Sequence, residues 1–166
     1  MANAQSFTAD EWSKIVESVA LSGMAVTAAD PSGLIGLLQE SFASARAVAG
    51  AKTDPGSNEL IKAVVAEFET SEGRTKLREA LKARFAGAKP AEISQRAIDA
   101  LHDVSTLLDA KAPQDAPAFK QWLSTISNNV AQAASEGGVL GFGGEKLSPS
   151  EKSALGNIAK ALGIAA

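Results

Sequence analysis

The chain of 166 residues has no cysteine, no tyrosine and a single histidine. The lack of thiols excludes a disulfide framework, a thiolate nucleophile and a cysteine-based zinc site. One histidine cannot furnish the paired motifs of a di-iron carboxylate bundle, and no GxSxG elbow is present to carry a serine nucleophile. A long apolar run is missing as well. The weakly polar stretch Val19 to Ala29 has 11 residues and is interrupted by Ser22, Gly23 and Thr27, against the ~20 that a membrane-spanning helix needs. The opening MANAQSFTADEW has no basic region followed by an apolar run, so a secretory signal is not visible, and a cytoplasmic soluble protein is the expectation. Charge of one sign is also scarce. The formal net charge is -3 and the pI is near 5.2, which gives nucleic acid no basic field to bind.

What is present points to helices. Apolar residues make up 45% of the chain, with alanine prominent, which favours closely packed helices over a sheet. No period-two alternation is sustained. The six prolines fall between periodic segments or at their starts, where a helix tolerates them. Thr8 and Glu11 form a capping box ahead of a helix over 9–28, with Phe7 placed to staple onto Trp12. Asp30 and Pro31 open a second, whose stripe is Leu34, Leu37, Leu38, Phe42 and Ala45. Ser57 or Asn58 caps a short helix carrying Leu60, Ile61, Val64, Val65 and Phe68. Ser71 and Glu72 open another around Leu77, Leu81 and Phe85, ended by Gly87. Lys89 and Pro90 begin the most regular segment, with Ile93, Ala97, Leu101, Val104 and Leu108 on one face. A helix with Phe119, Trp122, Leu123, Ile126 and Val130 follows. Ser148, Pro149 and Glu151 then open a last one carrying Leu155, Ile158, Ala159 and Leu162. The expected architecture is all-α, one domain over residues 1–166, a bundle of about seven helices. Trp12 and Trp122 lie on apolar faces and read as core.

The stretch GGVLGFGGEKLSPSE, residues 137–151, places five glycines in its first eight positions. It is no phosphate loop. It has neither GxxxxGK nor GxGxxG after a strand, and Glu145 would repel an anion. Two readings stay open: Val139, Leu140 and Phe142 cover the bundle, or they remain exposed and dock a protein partner.

Three other features carry weaker signals. His102 lies near Asp99 and Asp103, residue types that serve metal sites and acid–base pairs, although all three fall off the apolar face and read as a solvated surface. Arg74, Arg78 and Lys82, four apart, make a basic stripe, but no aromatic residue interleaves to stack bases. Gly23, Gly33 and Gly36 among alanine-rich helices allow an apolar cavity for a small molecule or lipid. No catalytic residue, cofactor or metal ligand is assigned.

The segment GGEKLSPSEKSALGNIAKALGI, residues 143–164, resembles the closing helix of TerB-like domains, all-helical modules associated with bacterial tellurite resistance and other stress responses. The matching positions are Gly144, Leu147, Ser148 and Glu151, then Leu155, Ile158, Ala159, Ala161, Leu162 and Gly163. The resemblance implies a helical module in a stress response. The acid of the family's turn is replaced here by Gly143, and the AADPSG near residue 30 carries Pro31 where the other family turn has glycine, so the family's divalent-metal association does not carry over. The resulting expectation is a non-enzymatic interaction module acting through protein contacts. The alternatives are a small-molecule or lipid-binding bundle, and a metal protein or enzyme using Asp99, His102 and Asp103.

Overall fold

Most helix starts follow from side chains within one turn of them. A computed structural model describes residues 1–29, 48, 50, 51, 58–136 and 147–165; of residues 134–136 and 90 only the backbone is described. Thr8 accepts from the Glu11 amide while the Glu11 carboxylate accepts from the Thr8 amide, and helix α1 runs Ala9–Thr27 from that box. Phe7 stacks on Trp12 with ring centroids 6.2 Å apart, as the staple pattern predicts. Asn58 caps α2, Glu59–Glu69, through the Ile61 amide. Helix α3 occupies Ser71–Arg84, but its cap is Thr70, whose hydroxyl accepts from the Gly73 amide. The helix opens at Ser71 and Glu72 as expected, and Thr70 is the cap that the sequence reading did not name. Its last turn closes on Phe85, and Gly87, at φ 70°, makes the reversal two residues later. Helix α4, Pro90–Lys111, begins on Lys89, whose amide donates to Glu92. Helix α5 is Ala116–Glu136, and α6, Pro149–Leu162, starts on the Ser148–Glu151 box. Gly163 terminates α6 in the left-handed region at φ 67°.

The six helices, with no strand among the described residues, form the expected all-α bundle. The helix expected after Asp30 and Pro31 lies outside the described residues, as does most of the following loop.

Four helices enclose the core in the order α1, α4, α6, α5. Three contacts set their directions. Ser94 Oγ donates to Ala25 O at 2.8 Å and Lys111 Nζ to Glu11 at 2.7 Å, so α1 and α4 are antiparallel. Ser105 Oγ donates to Leu162 O at 3.1 Å, and the starts of α4 and α6 share one groove, so those two are parallel. Between them lie Ile15, Leu21, Leu101, Leu108, Phe119, Leu123, Ile126, Ile158 and Leu162, each almost completely buried. Full burial contributes about 1.5–3 kcal/mol per large apolar side chain.

Serines supply half of the buried polar side chains among the described residues. Ser18 and Ser22 turn their hydroxyls back to Ile15 O and Ser18 O, and Ser127 crosses from α5 to Ser22 O at 2.9 Å. A hydroxyl that answers a nearby carbonyl avoids the penalty of an unpaired buried donor. Helices α2 and α3 pack on the outside of α1. The Trp12 indole donates to Glu67 at 2.9 Å, and Arg84 places two nitrogens on the buried Glu17 carboxylate at 2.8 and 2.9 Å.

Candidate functional site

One end of the bundle gathers the carboxyl end of α1 and the amino ends of α4 and α6. Proline at the first helical position of α4 and α6 starts both helices abruptly there. Between them runs an open groove of about 490 Å³, floored by Ala28 and Ala29 from the end of α1. One wall is Ala91, Ser94, Gln95 and Ile98 of α4. The opposite wall, from α6, is Ser150, Ser153, Ala154 and Asn157. Each wall is an i, i+3, i+4, i+7 row, the residues that share one face of a helix.

Among the described residues that line the groove none is charged. Two of its polar groups are already engaged: the Ser94 hydroxyl holds Ala25 O, and the Gln95 amide donates to Asp99 at 2.8 Å. The described lining is therefore neutral and of mixed polarity. It has no nucleophile–base pair and no converging donors that would orient a reacting group. Its shape is an open cleft.

The residues singled out from sequence lie elsewhere. Val139, Leu140 and Phe142 fall outside the described residues, as do Gly33 and Gly36. Asp99, His102 and Asp103 are all exposed on α4. Asp99 pairs with Gln95, and His102 Nδ1 lies 3.4 Å from Ala161 O at the end of α6. Among the described residues no three acidic, histidine or cysteine side chains converge as a metal site. The basic stripe is partly spent on structure. Arg74 reaches back to Phe68 O and Glu69 O, both at 2.9 Å, and closes the end of α2. Lys76 pairs with Glu72 at 2.6 Å, which lowers the Glu72 pKa and raises that of the lysine. Arg78 and Lys82 remain exposed on α3. Both tryptophans pack with the core as expected, Trp122 edge-on against Phe119 at 5.4 Å. The only exposed large apolar side chain among the described residues is Met1.

The groove was not legible beforehand. Ala91, Ser94, Gln95 and Ile98 have helical spacing in the sequence, but their opposite wall lies 59 positions further on, and nothing local announces that pairing.

A scan against protein-family models finds no matching family, and searches of curated proteins and of solved structures return no match. The TerB-like resemblance therefore stands on the quoted residues alone. No described helix is long and apolar enough to cross a membrane.

Proposed function

We propose that the chain is a non-enzymatic interaction module that receives an amphipathic helix of a partner protein in the groove between α4 and α6. The observation that carries this reading is the pair of parallel rows of uncharged, mostly small side chains. Each row runs over eight positions, and the seven steps between its ends span about 10 Å of helix at about 1.5 Å per residue. Alanines and serines let a third helix approach closely, and ridges of its side chains would fill the gap between the two rows. A small polar ligand is less well served, because none of the described lining residues is charged or aromatic. A cytoplasmic, bacterial stress-response setting is the part of the proposal that rests on the TerB-like resemblance. Nucleic acid is disfavoured by the acidic balance and by the use of Arg74 and Lys76 in internal contacts.

The test is a photo-crosslinking residue at Gln95 or Ser153 in the native cell. Adducts are expected on a peptide with apolar residues every three or four positions. The double variant Ala91→Phe, Ser150→Phe, at two exposed positions, should abolish them without shifting Tm. Adducts that persist in the filled variant, or that consist of lipid or a small molecule, would overturn the helix reading.

A further inference from the structure

The described walls of the groove are uncharged, but the exposed positions that border them are not. Each wall has two flanks, and on one of them lies the core: Ala97 and Leu101 on α4, Glu151 and Ile158 on α6, all buried. The other flank borders the opening. On α4 that flank carries Glu92 and Asp99, three positions before Gln95 and four after it, and Asp103 follows on the next turn; all three are exposed. Arg96 lies among them but turns aside, donating to Arg84 O at 3.2 Å and meeting Glu92 only at 3.9 Å. Gln95 Nε2 holds the Asp99 carboxylate at the rim, 2.8 Å away. On α6 the corresponding flank carries Lys160, three positions after Asn157 and seven after Ser153, with Lys152 on the same outer side. The acid of that helix, Glu151, is buried in its own cap, so the exposed charges of α6 are both positive. The walls meet four positions beyond Ile98 and Asn157, where His102 Nδ1 lies 3.4 Å from Ala161 O. Among the described residues the groove thus has an acidic rim, a basic rim and two distinguishable ends.

We infer that these rims admit the partner helix in one direction only, with a basic flank along α4 and an acidic flank along α6. The inference rests on the reading of the groove as a helix-binding site. A helix seated on its apolar face has a left and a right flank, and turning it end for end exchanges them. Between rims of opposite sign, one direction brings unlike charges together on both sides and the other brings like charges together. Each exposed pair changes affinity by only about 1.5- to 5-fold. The choice of direction counts every pair twice, as an attraction gained and a repulsion avoided. The uncharged walls then supply contact area, and the rims supply polarity, as flanking charges do between paired helices.

Three synthetic helical peptides with one shared apolar stripe test this on the full chain. The first has lysine on its left flank and glutamate on its right, the second has the reverse, and the third has glutamine on both. Each bears a nitroxide at its amino end. The two charged peptides are expected to lie in opposite directions. One should broaden the amide signals of Ala91 and Ser150, the other those of His102 and Ala161, and the glutamine peptide should broaden both ends. Exchanging the rims, with Asp99→Lys, Asp103→Lys and Lys160→Glu at exposed positions, should swap the two patterns. The preference should weaken as salt is raised. Charged peptides that lie in the same direction, or that broaden both ends, overturn the inference on the unaltered chain. If Ala91→Phe, Ser150→Phe still blocks them, the groove reading survives that failure. Failure of all three peptides to bind, or binding that persists in the filled variant, overturns both.

Discussion

Helices α3 and α4 follow one another in the chain, and both begin at a defined cap and carry an apolar stripe, yet they are held by different forces. In α4, Ala97, Ala100, Leu101, Val104 and Leu108 are buried between α1 and α6. In α3 only Gly73 is buried, and Leu77 and Leu81 are half-covered. What α3 lacks in apolar contact it replaces with polar fastenings near its ends. Gly73 packs against the backbone of Glu67, Arg74 closes the last turn of α2, and Arg84 reaches Glu17 on α1. The comparison shows that an amphipathic pattern marks which face turns inward but not how much of it is covered. Coverage depends on how many neighbours surround the helix.

Substitutions that separate apolar from polar attachment sharpen this contrast. The largest effect is expected from Leu101→Ala, a fully buried position in α4, at about 4 kcal/mol of global stability by denaturant unfolding. A loss under about 1 kcal/mol would mean that α4 is not the central helix. Arg84→Ala strands a Glu17 side chain that is only 6% exposed. Leaving an acid so buried without its cation should cost about 3 kcal/mol, and the cost should shrink in the double variant with Glu17→Gln. Gly73→Ala places a methyl group into Glu67 O, with Glu67 C and Thr70 Oγ1 both at 2.9 Å. It is expected to cost about 2 kcal/mol, and hydrogen exchange should show faster opening in α3 while α4 stays protected. Leu81→Ala, on the half-covered face of α3, should cost only about 1 kcal/mol.

The smallest effect concerns the exposed pair of Glu11 with Lys111. The hydrogen bond from Lys111 and the amide of Thr8 hold the Glu11 carboxyl below its usual value. A lowered folded-state pKa contributes stability above the ordinary glutamate range, lost as pH falls through the lowered value. Glu11→Gln should therefore lower Tm slightly at neutral pH, and the difference from the unaltered chain should close in acid. A difference that grows on acidification would reverse the assigned sign.

The buried stripes of α1, α2, α4 and α5 follow the helical periodicity of their sequences, because one apolar face per helix is enough to predict what turns inward. Ile93 departs from the pattern and is only half-buried, since it lies near the open end where α4 meets the groove. The groove itself was hidden because its walls, Ile98 apart, are made of alanine, serine, glutamine and asparagine, residues that an isolated helix places on a plain solvent face. The candidate loop Val139, Leu140 and Phe142 stands apart from that comparison, since it lies outside the described residues.

The sequence by itself determined the helix starts and stops. Thr8 with Glu11, Asn58, Glu92 and Ser148 with Glu151 satisfy amides within three or four residues, and such contacts form whatever the rest of the chain does. Only the tertiary structure decided that α4 lies parallel to α6, that Trp12 meets Glu67, that Ser127 meets Ser22, and that Ala2 rests on Asp115. Each of those joins groups 55 or more positions apart. Their choice is made when the apolar stripes of several helices are buried together, a constraint shared by the whole chain and written in no single segment of it.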